Sequence, residues 1–153
     1  MTTLQKALIA CAVALSAPAA AQPRAKPTVS KDRVHVLNDR IVVDEGLLFD
    51  TNRARIRSAG RELIETIATM WLVHPEWKRM RIEGHTDDRG STEFNQRLSE
   101  RRAHFARRIL LRHGYAPDRI EAVGLGASIP RVEADDEAEH HANRRVEFVF
   151  VRD

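Results

Sequence analysis

Two stretches of helical period, with strand-like alternation before, between and after them, limit what this chain can fold into. From Ile56 to Val73 the apolar residues Ile56, Leu63, Ile64, Ile67, Met70 and Trp71 recur at three- and four-residue steps, the repeat of a helix with one buried face. Pro75 stops that helix soon after. "KRMRIEGHT" then alternates through Met80 and Ile82, as a short strand does. The helical period returns from Thr92 to His113, closed by Gly114 with Pro117 just beyond. Upstream, "VHVLNDRIVVDEGLLF" alternates on both sides of Asn38-Asp39, which predicts two short strands joined by a turn. Downstream, "DRIEAVGLG" and "RRVEFVFV" read as strands on either side of a polar acidic loop from about Ala127 to Ala142. Strands and helices in this order predict an α/β two-layer sandwich, a mixed β-sheet of about four strands with two main helices packed on one face.

At 153 residues, 42% of them hydrophobic and 31% charged, the chain has the size and composition of one globular domain with a real core. The first 21 residues read differently. Lys6, an apolar run from Ala7 to about Leu15 and then Ala19-Ala20-Ala21 form a signal-peptide pattern, with cleavage expected between Ala21 and Gln22 and a periplasmic product. "LIAC", residues 8–11, resembles a lipobox and provides the alternative, an outer-membrane lipoprotein anchored at Cys11. Cleavage there would leave only about four apolar residues after Lys6, short of a normal signal core. Cys11 is the only cysteine, so the chain after Ala21 has none and cannot depend on a disulfide.

Residues 22–33, "QPRAKPTVSKDR", carry two prolines and four basic residues and read as an exposed linker, with the folded domain expected over 34–153. Removing residues 1–21 lowers the formal charge from +3 by one, to +2. Basic residues are interleaved with acids through most of the chain, so nucleic acid is not an expected partner, and membrane contact is expected only if Cys11 is lipidated.

Chemistry concentrates in "GHTDDRG", residues 84–90. A metal centre would draw on His85, Asp87 and Asp88, but a closed site needs three or four converging ligands, and His140 and His141 follow no recognisable ligand spacing. A hydrolase would use Asp87 and Asp88 as acid and base, yet neighbours on an extended chain face opposite sides. No G-x-S-x-G or H-E-x-x-H motif is present. No enzyme activity, cofactor or metal is therefore expected.

A ligand-binding loop needs a partner, and the second helix supplies one. At about 100° per residue, Phe94, Leu98, Phe105 and Ile109 fall within an arc of roughly 60°, the expected buried stripe. Arg102 lies about 20° beyond that arc, with Asn95 on the same flank. A guanidinium at such a border is held by packing and still offers its fork to a carboxylate. Arg101 flanks the opposite border about equally well, so geometry alone does not choose between them.

Five motifs carry a family resemblance: "FDTN" at 49–52, "IEGHTDDRG" at 82–90, "FNQRLSERRA" at 94–103, "GLGASIP" at 124–130 and "NRRVEF" at 143–148. In this order and spacing the chain resembles the OmpA-like C-terminal domain, the family of the peptidoglycan-associated lipoprotein and the flagellar stator protein MotB. That resemblance implies non-covalent binding of peptidoglycan by the diaminopimelate end of the stem peptide, tethering the protein, and any envelope-protein partner, to the wall. It places the ammonium-binding acid on Asp87 and the carboxylate-binding base on Arg102, selecting Arg102 over Arg101. Asn52, Asn95 and Arg144 become supporting hydrogen-bonding residues. His85 and Thr86 are expected to buttress the loop, Asp88 and Arg89 to pair with each other in solvent, and residues 133–142 to form a solvated loop. An adaptor whose main contact is another envelope protein remains the alternative reading.

Overall fold

A computed structural model describes residues 34–50 and 55–152. The expected signal peptide and linker, Cys11 and Asn52 lie outside the described residues. β1 (Val34–Leu37) and β2 (Arg40–Asp44) pair antiparallel across Asn38-Asp39, where Asn38 takes a left-handed φ of 39°, a conformation that asparagine tolerates better than most residues. The Asp44 carboxylate accepts the Gly46 N–H at 2.7 Å and starts a single helical turn, α1 (Glu45–Leu48). α2 (Ser58–Leu72), β3 (Arg79–Gly84) and α3 (Thr92–Arg112) follow the periodicity closely. A 3₁₀ turn at Pro117–Arg119 leads into β4 (Ile120–Gly124), and α4 (Glu137–Asn143) precedes β5 (Arg145–Val151).

The sheet has five strands in the order β1-β2-β5-β3-β4, with β3 and β4 parallel and the other pairs antiparallel. Period-2 alternation gives it two unlike faces. Val146, Phe148 and Phe150 of β5, Met80 and Ile82 of β3, and Ile41 and Val43 of β2 form one core with Leu63, Ile64, Ile67 and Trp71 of α2 and Ala103, Ala106, Ile109 and Leu110 of α3. Each large side chain buried there contributes about 1.5–3 kcal/mol. Trp71 stacks on Tyr115 at 4.3 Å between centroids and donates Nε1–H to the Trp77 carbonyl, satisfying its polar edge in the core. Of the expected α3 stripe, Leu98 and Ile109 are buried and Phe105 packs against the core's edge, but Phe94 is 41% exposed. Phe94 sits in the first turn, beyond the sheet and beside the GHTDDRG loop.

The opposite face is held by charges instead of a second helical layer. Glu147 accepts from Arg145 Nε at 2.6 Å and from Arg40 Nη1 at 2.5 Å, and the Glu147 and Arg145 side chains are both 5% exposed. Burial on its own would push the Glu147 carboxyl up, but the Arg145 hydrogen bond and the nearby guanidinium charges outweigh it and hold the group below its ordinary value.

Candidate functional site

The site begins at the carboxyl ends of the two parallel strands, where β3 and β4 finish on Gly84 and Gly124. A Cβ on Gly84 would overlap the Ser99 carbonyl oxygen, and one on Gly124 would overlap the Glu100 amide. Glycine at both positions lets α3 lie against the strand ends, which sets the separation between the loop after β3 and the side chains of α3. Three backbone bonds of 2.9 Å then fix the strand ends and the loop: His85 N–H to the Arg145 carbonyl, Thr86 N–H to Gly126, and Leu125 N–H to Gly84. Ser91 caps α3 by accepting the Phe94 N–H. One turn on, the Asn95 amide donates to the Asp87 and Arg89 carbonyls, both at 3.1 Å.

A cavity of about 600 Å³ opens beside this loop, and Asp87, Asn95, Arg102 and Arg144 all line it. Four of the five residues singled out from the sequence thus meet at one place, and the fifth, Asn52, lies outside the described residues. Arg102 is 1% exposed, with its guanidinium carbon 5.7 Å from the centroid of the Phe49 ring. Arg101 is exposed and is not part of the lining. His85 and Thr86 are both buried, and only Thr86 reaches the cavity.

The charges at the cavity are arranged differently from the expectation that Asp88 and Arg89 pair with each other. Arg89 reaches back to Asp87, donating from Nε at 2.9 Å and from Nη2 at 2.6 Å, and across to Glu137 at 2.8 and 3.4 Å. Arg144 makes the same bridge, to Asp87 at 2.7 Å and to Glu137 at 3.0 Å. Asp88 instead lies 3.2 Å from His140 Nδ1. Two guanidiniums therefore link two carboxylates from segments far apart in the chain. Burial raises the Asp87 carboxyl, but hydrogen bonds from Arg144 and Arg89 prevail and hold it below its ordinary value. Hydrogen bonds from Arg89 and Arg144 lower Glu137, and those to Glu137 and Asp87 raise Arg89.

Glu137 reaches the site because the segment expected to be a solvated loop contains α4. Asp136 accepts the Glu139 N–H while the Glu139 side chain accepts from the Asp136 backbone, a capping box that starts the helix. Its side chains then grip the surroundings: His141 Nδ1 lies 2.7 Å from Asp44, and the Asn143 side-chain carbonyl accepts the Arg131 and Val132 N–H groups. Glu137, His141, Phe49 and Arg89 also line the cavity, although the sequence reading assigned none of them to the ligand.

The loop aspartates do not form the acid and histidine cluster nearest to a metal-site geometry. Among the described residues that cluster is Glu83, His85 and Glu147, whose donor atoms lie within 4.8 Å of one another. Arg40 and Arg145 already hold Glu147, and Arg81 lies 3.3 Å from Glu83. With Glu121 also 3.6 Å from Arg81, three guanidiniums balance three carboxylates and leave no net negative charge for a divalent ion to neutralise, so the local electrostatics oppose a cation there.

Residues 48–144 match the OmpA family, and the chain belongs to it. It is 46% identical over 103 residues to the peptidoglycan-associated lipoprotein of Legionella pneumophila, covering 67% of this chain and 58% of that protein. It is 36% identical over 108 residues to outer membrane porin F of Pseudomonas fluorescens, covering 71% of this chain and 32% of the relative. The chain thus spans less than two thirds of either relative's length. Among solved structures, the peptidoglycan-associated lipoprotein of Burkholderia pseudomallei is similar at a TM-score of 0.60 and 32% identity, covering 69% of this chain and 88% of that one. A putative MotB-like protein from Desulfovibrio vulgaris gives a TM-score of 0.72 at 25% identity, covering 80% and 81%. No helix among the described residues is long and apolar enough to cross a membrane.

Proposed function

We propose that this domain binds cell-wall peptidoglycan non-covalently, taking the free end of diaminopimelate in the stem peptide, and so tethers its chain, with any envelope partner, to the wall in the periplasm. That end of diaminopimelate is a zwitterion, an ammonium and a carboxylate on one carbon. Its receptor needs an anionic and a cationic group within one small cavity. The observation that carries the reading is that Asp87, from the loop after β3, and Arg102, from α3, line the same cavity. Phe49, Phe94 and Leu98 add apolar lining suited to the ligand's methylene chain. The names of two relatives, peptidoglycan-associated lipoproteins similar to this chain in sequence or in structure, support the same class of ligand.

Charge-assisted hydrogen bonds contribute about 1.5–3 kcal/mol each and exposed ion pairs about 0–1. One stem peptide therefore binds modestly, while a polymer that repeats the epitope retains a weak binder by rebinding and multivalency. The test is co-sedimentation with purified sacculi. Asp87→Asn keeps the side chain's shape and removes its charge, while Arg102→Lys keeps the charge at a buried position and removes the fork. Each is expected to lower the apparent affinity for sacculi at least about tenfold, the equivalent of about 1.4 kcal/mol, with circular dichroism unchanged. If both variants sediment like wild type, the reading is overturned.

A further inference from the structure

Arg89 stands where a ligand ammonium on Asp87 Oδ2 would sit. Asp87 is the carboxylate assigned to the ligand ammonium, yet Arg89 and Arg144 already donate three hydrogen bonds to one of its oxygens, Oδ2. An ammonium that approaches Oδ2 meets a guanidinium already there. The two arginines are not equally able to move. The Arg144 side chain is 17% exposed and follows α4 directly into β5, whereas the Arg89 side chain is 50% exposed and stands on the loop, two residues from Asp87. Arg89 also has a second acceptor, because Glu137 holds its Nη1 at 2.8 Å, and the Glu137 side chain is 68% exposed.

Resting on the peptidoglycan reading above, we infer that Arg89 is a specificity-determining residue, an internal cation that the ligand ammonium displaces from Asp87 and that Glu137 retains after displacement. Before binding, two guanidiniums and two carboxylates form a neutral cluster. After binding, the ammonium takes the place of Arg89 on Asp87 while Arg89 keeps its bonds to Glu137, and the added positive charge is offset by the ligand's own carboxylate at Arg102. A ligand whose free end has a carboxylate but no ammonium brings no cation to make the exchange, so it leaves Arg89 in place and gains nothing from Asp87. The site thus selects zwitterionic ends over simple acids through competition as well as attraction. The acidic segment carrying Glu137 then has a function: it is the resting place for the displaced guanidinium.

The experiment is isothermal titration with two synthetic stem tetrapeptides, one containing meso-diaminopimelate and the other 2-aminopimelate, which lacks the ammonium at the free end. Arg89→Gln is expected to tighten diaminopimelate binding about three- to tenfold while leaving the aminopimelate peptide unchanged or weaker. Glu137→Gln is expected to weaken diaminopimelate binding about threefold in the wild-type background and clearly less in the Arg89→Gln background, where only the Arg144 bond to Glu137 is left to lose. Weaker diaminopimelate binding in Arg89→Gln would overturn the inference by making Arg89 a direct ligand contact, as would an equal change for both peptides. Additive effects of the two substitutions would also overturn it. Asp87→Asn separates the two levels: if it binds like wild type, the peptidoglycan reading itself fails, and if it loses binding while Arg89→Gln also loses it, only the displacement fails.

Discussion

Two clusters of arginine and carboxylate stand on this small domain, similar in composition and opposite in setting. On the outer face of the sheet, Glu147 and Arg145 are each 5% exposed and pair with each other, and Arg40 closes the group. At the cavity, Asp87 and Arg144 sit at 9% and 17%, while the partners they share, Arg89 and Glu137, are at 50% and 68%. The first cluster ties β2 to β5 through a buried pair, and of its three members only Arg40, with a side chain 41% exposed, reaches solvent. The second borders a cavity of about 600 Å³ and has solvent-exposed members able to trade partners. Residue type alone does not make a binding site. Space beside the charges decides which cluster can take a ligand.

The largest effect that would sharpen this contrast is on stability. Glu147→Ala leaves Arg145 buried without its carboxylate, and breaking a buried pair on one side costs about 3–5 kcal/mol. Urea denaturation should show that loss, while the folded fraction still binds sacculi. Gly84→Ala comes next and should affect both properties. Its Cβ would meet the Ser99 backbone, so α3 must shift, at about 1–3 kcal/mol as for other overpacking changes, and sacculus binding should fall with it. A variant that lost stability but bound normally would show that α3 does not set the cavity's geometry.

Acid titration compares the two clusters directly. The Glu147, Asp87 and Glu137 carboxyls all lie below their ordinary values, 4.5 for glutamate and 3.8 for aspartate. A lowered carboxyl contributes stability that is complete above its ordinary value and is lost as pH falls through its folded-state value. Stability should therefore hold from neutral pH to about pH 5 and decline below that. Glu147→Gln should flatten the decline more than Glu137→Gln, because Glu137 is screened by solvent. The smallest effect belongs to the exposed Glu93–Arg97 pair on α3, where Glu93→Ala should change stability by no more than about 0.5 kcal/mol and leave binding unchanged.

Much of this arrangement was legible in the chain. α3 runs from Thr92 to Arg112, one residue short of the expected His113, because Ser91, Gly114 and Pro117 mark its limits. Asp87 and Arg102 were identifiable as a pair only through the family resemblance, since period alone left Arg101 and Arg102 equal; burial now separates them. α4 escaped notice for a physical reason: "EAEHHAN" has no apolar stripe, and its helix is held by caps and side-chain bridges instead of a buried face. Its one local signal was the Asp136-x-x-Glu139 spacing of a capping box. No local signal tied Glu137 to Arg89, 48 residues away, because that contact exists only once β5 lies beside β3. α1 was too short to show a period.

In the proposed function an acid and a base from separate segments, Asp87 and Arg102, hold one amino-acid head group. An NMR titration of the ¹⁵N-labelled domain with the diaminopimelate tetrapeptide tests it most directly. Saturable shifts are expected at the amides of residues 86–90, Asn95, Arg102 and 137–144, with the outer-face residues Arg40, Arg81 and Glu147 unmoved. Shifts confined to the outer face, or no saturable shift around Asp87 and Arg102 at millimolar peptide, would contradict it.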